Sequence, residues 1–234
     1  MDFTLKPLGD HAVRIEVSNH IGLSAQKSVR ELTTLLDRSP PPWLIEYIPA
    51  YTTVTVFYRI EAFVTQSISP FQAVCNELKI LLINVDDSKD GKENIVKIPV
   101  LYGGVYGPDL QFVACYNGLT VDEVIEIHTS GDYSVHMIGF APGFPFIGGM
   151  SSSIAAPRKD TPRLTIPART IGIAGKQTGI YPIDTPGGWQ LIGRTPIELF
   201  LPYEKIPSLL KSGDKIQFYQ ITEVEYADMR GDSM

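Results

Sequence analysis

The apolar positions of this 234-residue chain keep one rhythm up to about residue 132 and another beyond it, so two kinds of structure are expected. Val13, Ile15 and Val17 alternate with Ala12, Arg14 and Glu16, the period of a half-buried strand. Ala25, Val29, Leu32 and Leu36 then fall on one helical face, with Ser24 placed as N-cap. Two β-rich runs follow, WLIEYIPA and TTVTVFY, joined by a short turn. Ser69-Pro70-Phe71-Gln72 opens a second helix, with Ser at the cap, Pro at the first helical position and Gln three residues after the cap. Its core face is Phe71, Val74, Leu78, Leu81 or Leu82, and Val85. Strands with two helices on one side predict a ferredoxin-like α/β domain over residues 1–90.

The charged stretch NVDDSKDGKEN, 84–94, reads as a solvated loop or linker. A strand over Ile95 to Leu101 either pairs back onto the first domain or leads into the second. Two short helices are predicted next. Pro108 to Tyr116 ends at Gly118, and Thr120-Val121-Asp122-Glu123 is a capping-box start for a helix ending near Gly131. From Tyr133 no helical period appears until Ile206 to Lys211. Short apolar runs (YSVHMI, RLTI, TIGIAG, QLIG, IELF, KIQFYQI) stand between Gly, Pro, Asp and Thr turns instead. That spacing predicts a closed or nearly closed β-barrel over residues 91–234, and an α+β fold class for the whole chain.

Composition narrows the function classes. No window approaches the ~18 consecutive apolar residues of a membrane span, and MDFTLKPLGD has no signal-peptide character, so a cytoplasmic protein without a membrane partner is expected. A net charge of −6 argues against a nucleic-acid partner, since phosphate binding needs clustered Lys and Arg. The charge is uneven: residues 133–195 hold six basic and two acidic side chains and ten of the twenty glycines. Cys75 and Cys115 belong to no CxxC or Cys/His cluster, so neither a disulfide framework nor a metal ligand set is expected.

Candidate chemistry gathers in that basic segment. The stretch GFAPGFPFIGG, 139–149, has too many glycines and prolines for a helix and reads as an irregular loop. Its Phe140, Phe144 and Phe146, together with Trp189, either line a pocket or partner contact at the barrel mouth or plug the barrel end as core. His136, in the strand just before, is placed as a general base or as a hydrogen-bonded barrel residue. Arg158, Arg163, Arg169 and Arg194 sit beside or one residue from Pro or Gly, on backbone that holds a shaped anion site or a solvated surface. GIAGKQTG, 172–179, follows no βα pattern, and a hairpin turn is the plainer reading than a phosphate loop. There is no GxSxG elbow for serine-hydrolase chemistry.

His136-Met137-Ile138-Gly139-Phe140-Ala141-Pro142-Gly143-Phe144-Pro145-Phe146, Pro157-Arg158, Thr161-Pro162-Arg163, Ile166-Pro167-Ala168, Gly172 to Gly175, Gln177 to Pro182 and Gly187-Gly188-Trp189 together resemble the signature of the KipI family. That family is the B subunit of bacterial 5-oxoprolinase, also called allophanate hydrolase subunit 1. Leu8 to Ala12 match as well, so the resemblance covers nearly the whole chain. One departure is Arg169-Thr170, where many relatives read Gly-Ser, and it weakens the case for an anion role of that loop.

The resemblance implies a small N-terminal α/β domain followed by a cyclophilin-like β-barrel. It implies that such a chain works with the A subunit of 5-oxoprolinase and with a homologous barrel protein, the C subunit. Together they would open 5-oxoproline to glutamate using ATP held jointly with a partner. A lactam is a poor electrophile, and phosphorylating its oxygen makes the ring carbon attackable, with cationic groups stabilising the phosphoryl charge. His136, Arg158 and Arg163 are the catalytic candidates; Phe140, Pro142, Phe144, Phe146, Gln177 and Trp189 are the substrate- or partner-binding ones. The family name further implies inhibition of a sporulation sensor histidine kinase by docking on its dimerisation and phosphotransfer domain. Two other roles stand beside these: a purely protein-binding inhibitor, and a proline-recognising cyclophilin-like module.

Overall fold

A computed structural model describes residues 3–64, 67–83 and 94–231, and the chain divides into two compact units, 1–91 and 92–234. Of the expected linker 84–94, residues 84–93, with Val85, lie outside the described residues.

In the first unit, β1 (Thr4–Pro7), β2 (Ala12–Glu16), β3 (Leu44–Pro49) and β4 (Thr53–Tyr58) form an antiparallel sheet in the order β1-β2-β4-β3. Helices α1 (Leu23–Arg38) and α2 (Pro70–Ile83) complete an order of ββαββα, which differs from the βαββαβ of a ferredoxin-like chain because β1 precedes the first strand expected from the pattern and the strand after α2, Ile95–Tyr102, pairs within the second unit. Val29, Leu32 and Leu36 of α1 share one core with Val74, Leu78 and Leu82 of α2 and with Val13, Ile15, Val54 and Val56 of the sheet, so both helices cover the same face. Ser24 does not cap α1. The cap is Gly22, two residues earlier, and it makes no side-chain hydrogen bond. Ser69 and Gln72 do form the reciprocal capping pair at α2.

The second unit is a closed barrel in the order β10-β7-β6-β13-β5-β12-β9. Its strands are β5 (Ile95–Tyr102), β6 (Tyr133–Ile138), β7 (Pro145–Gly148), β9 (Thr170–Ala174), β10 (Gln177–Ile180), β12 (Gln190–Arg194) and β13 (Lys215–Gln220). A separate ribbon pairs β8 (Arg163–Ile166) with β11 (Thr185–Gly187). Helices α3 (Leu110–Asn117) and α4 (Val121–Thr129) fall where the capping signals put them, α3 ending on a left-handed Gly118 and α4 opening on the Thr120–Glu123 capping box.

Three expectations are corrected. Ile206 to Lys211 is irregular, with Ile206 largely exposed and Pro207 interrupting it. Ile197 to Phe200 forms no strand beyond one bridge from Phe200 to Ser208. Among the described residues the last helix is instead α5 (Glu223–Arg230), opened by a second capping box, Thr222 with Glu225.

Alternation sorts the barrel residues. Ile171, Ile173, Ile180 and Ile192 point into the main core with Val100, Val135 and Phe218. His128 of α4 enters the same core fully buried, its Nδ1 2.7 Å from the Tyr102 hydroxyl and its Nε2 3.1 Å from Thr178 Oγ1. Thr178 donates its hydroxyl hydrogen to the Gly172 carbonyl, so it accepts from Nε2–H, and Nδ1 accepts from Tyr102. Burial without a counter-charge holds this imidazole neutral down to about pH 3. The unfolded chain, with an ordinary His near 6.5, binds the proton first as pH falls, so stability drops from pH 6.5 toward 3 at about 1.4 kcal/mol per unit. Urea unfolding is expected to show about 2 kcal/mol more loss between pH 6.5 and 5 in the natural chain than in His128→Gln; equal slopes would contradict the neutral buried ring.

Candidate functional site

The stretch 139–149 is half loop and half strand. Residues 139–144 form the turn of a hairpin in which β7 pairs with β6 on one side and with β10 on the other. Pro145 stands at the first position of β7, where a strand tolerates it. Within the turn the Gly139 N–H donates to the Phe144 carbonyl, while Gly143 and Phe140 both take left-handed backbone, φ 76° and 71°. For a phenylalanine that conformation is uncommon, and it lifts the Phe140 ring to 70% exposure at the tip.

The three phenylalanines therefore do different work. Phe144 is 2% exposed and packs edge-on against Phe140, Phe146, Tyr181 and Trp189, with ring centroids 5.0–5.7 Å apart. This cluster, with Ile166, Ala174 and Leu191, is distinct from the barrel interior. It lies on the outer wall. Gly172 and Gly179 face outward between inward-pointing neighbours, and a Cβ on Gly179 would come within 3.0 Å of both Phe144 and Trp189. The aromatics pack where those glycines leave bare backbone, so they neither cross the barrel mouth nor plug its end.

Above them opens a cavity of about 280 Å3, lined by Phe140, Phe144, Phe146, Tyr181 and Trp189, by Pro162, Pro186, Gly187 and Gly188, and by Arg158. A Cβ on Gly187 would strike the Tyr181 hydroxyl at 2.5 Å, so this wall admits only glycine there. Burial pushes the Tyr181 phenol up to about 12, against the Trp189 backbone N–H and the charges of Arg158 and Arg163, so the phenol stays protonated.

The four arginines do not converge. Arg158 lines the cavity and has no ion-pair partner among the described residues. Arg163 donates from Nη2 to Asp109 at 2.8 Å, and Lys159 stands 3.5 Å from the same oxygen. Asp109, 6% exposed, also accepts the Leu191 N–H at 2.7 Å through its other oxygen. Arg169, at φ 69°, meets Glu198 at 2.7 Å together with Arg230 at 2.9 Å, and Arg194 lies over the Tyr106 ring.

Other candidates lie elsewhere. His136 packs over Gly148, where a Cβ would come within 1.7 Å of its Nε2, and it is not a lining residue of the cavity. A bulge between Val135 and Met137 breaks the alternation from which its face is read, and burial lowers its basicity. Gln177 opens β10 and Pro142 sits in the turn, neither lining the cavity. Residues 174–177 form the β9–β10 hairpin turn with Gly175 at φ 58°. Two residues of the site, Asp109 and Tyr181, are not singled out by the sequence pattern. Asp109 carries no signal beyond preceding a helix, whereas Tyr181 stands inside the motif run Gln177 to Pro182.

The family model of the carboxyltransferase domain, subdomains C and D, matches residues 3–210. This chain belongs to that family, alongside the 5-oxoprolinase B subunits. Within the family, the 5-oxoprolinase B subunit of Bacillus subtilis (strain 168) is 48% identical over 228 residues, covering 96% of this chain and 95% of that protein. The corresponding protein of Escherichia coli O157:H7 is 39% identical over 90% of this chain and 93% of its own. Among solved structures, TTHA0988 superposes with a TM-score of 0.77 at 31% identity over 90% of this chain. This family member spans only 40% of the TTHA0988 chain.

Proposed function

We propose that this chain is the B subunit of an ATP-dependent 5-oxoprolinase, acting with the A and C subunits to open 5-oxoproline to glutamate. The observation that carries this reading is the 48% identity to a 5-oxoprolinase B subunit with both chains aligned almost end to end. The cavity is consistent with a shared site, since Arg158 is its one charged lining residue and the charge of a phosphoryl transfer calls for more cationic groups than that. ATP binding and catalysis are accordingly assigned to a site completed by a partner subunit. The direct test is co-purification: tagged chain is expected to bring down the C subunit when the two are co-expressed. Recovery of the chain alone under conditions that keep both soluble would sink the assignment.

A second reading, docking on the helical dimerisation and phosphotransfer domain of a sensor histidine kinase, is favoured by Phe140, an aromatic ring held out to solvent on left-handed backbone. Phe140→Ala is expected to change stability by no more than about 0.5 kcal/mol while weakening inhibition of kinase autophosphorylation. Undiminished inhibition by that variant would remove Phe140 as the anchor.

A further inference from the structure

The cavity on the outer wall has a chemistry that selects among the molecules of the proposed reaction. At about 280 Å3 it falls just below the roughly 300–1,000 Å3 of pockets that hold drug-sized ligands, so it suits a small molecule better than a whole nucleotide. Five of its ten lining residues are aromatic, two more are prolines and two are glycines. The remaining one, Arg158, supplies a planar cation with no ion-pair partner among the described residues. The buried carboxylate of Asp109 is already engaged by Arg163, Lys159 and the Leu191 N–H, so it offers nothing to a ligand's cation. A small ring with a single carboxylate suits such a site: the ring's methylenes meet aromatic edges and faces, and the carboxylate meets a guanidinium fork.

Resting on the oxoprolinase reading, we infer that this cavity is the 5-oxoproline half-site, holding the lactam ring in the Phe144–Phe146–Tyr181–Trp189 cage with its carboxylate on Arg158, and that it forms without nucleotide. The cage is preorganised. Phe144 is pinned by four ring contacts and by Gly179 beneath it, and Gly187 keeps the opposite wall against the Tyr181 hydroxyl. Rigid aromatic walls of this kind lose little entropy on binding. The same lining explains how product leaves. Opening the ring gives glutamate, whose second carboxylate has no partner in a cavity with a single cation. Burying unpaired charge is costly, so the site holds the lactam and rejects the open chain.

The test uses the purified full-length chain without partners or ATP. Binding of L-5-oxoproline, 2-pyrrolidinone (the same ring without the carboxylate) and L-glutamate is followed by calorimetry and by tryptophan fluorescence, Trp189 being in the cavity wall. Saturable binding of 5-oxoproline is expected, at least about tenfold tighter than 2-pyrrolidinone, as fits a charge-assisted hydrogen-bonded pair, with glutamate weaker still. Arg158→Gln, a change at an exposed residue, is expected to bring 5-oxoproline down to the level of 2-pyrrolidinone while Arg158→Lys recovers part of the difference. Preference for 5-oxoproline that survives Arg158→Gln would overturn the proposal. So would absence of binding by a chain that nonetheless supports glutamate release when mixed with the A and C subunits, an outcome that leaves the oxoprolinase reading standing. Arg158-dependent binding by a chain that supports no such release would instead uphold the cavity and remove that reading.

Discussion

Phe144→Ala is expected to cost the barrel about 3–5 kcal/mol, the usual range for emptying a buried phenylalanine site. The ring is 2% exposed and is the hub of the outer cluster, making edge-on contacts with four other rings. Each such pair contributes about 0.5–1.5 kcal/mol beyond the area it buries. Collapse around the hole is hindered because the floor is glycine backbone at Gly179 and Phe146 is held in the ladders of β7 with β6 and β10. Urea unfolding checks it: the midpoint should fall with an unchanged slope. A loss under about 1 kcal/mol would mean that Phe144 is not the hub described. Because the same ring forms one wall of the cavity, 5-oxoproline binding should be lost at temperatures where the variant is still folded.

The second large effect is expected at Asp109. Asp109→Ala leaves the Arg163 guanidinium without its carboxylate and the Leu191 N–H without an acceptor; a fully buried pair would lose about 3–5 kcal/mol, and with Arg163 26% exposed that range is the upper limit here. Asp109→Asn keeps an acceptor for Leu191 and should lose less. Burial alone would raise this carboxyl, but the hydrogen bonds from Arg163 and Leu191 and the charge of Lys159 outweigh it and hold it below the usual carboxylate range. A carboxylate whose folded value is depressed stabilises fully above its ordinary value near ~3.9 and loses that contribution as pH falls through the folded value. The natural chain and Asp109→Ala should therefore differ most at neutral pH and converge in strong acid. A difference that stays constant down through that range would contradict the ion pair as its source.

Much of the fold is legible where the signal is local. The Thr120–Glu123 box, Gly118 and the Ser69–Gln72 pair each satisfy backbone groups within one turn, so sequence spacing alone specifies them. Thr222–Glu225 carries the same signal for α5, yet the apolar residues of Ile206 to Lys211, spaced like a helix, compete with it in the pattern. Strand β7 is hidden for a different reason. Its four residues look like loop, and only pairing with β6 and β10, both remote from its own composition, makes them a barrel strand. The leading strand β1 has too few apolar residues to show an alternation, which turns a ββαββα order into an expected ferredoxin-like one.

The site is partly legible. Phe140, Phe144, Phe146, Trp189 and Arg158 do meet around one cavity, but on the outer wall, a position set by the outward glycines 172 and 179. The arginines mislead because each finds its partner far away in sequence, Arg163 across 54 residues and Arg169 across 29.

Whether this chain is a required part of a 5-oxoprolinase is decided by mixing the purified A and C subunits with and without it and measuring glutamate released from 5-oxoproline with ATP present. Release that depends on adding the chain is predicted; release that continues at the same rate when the chain is left out would contradict its assignment to the enzyme.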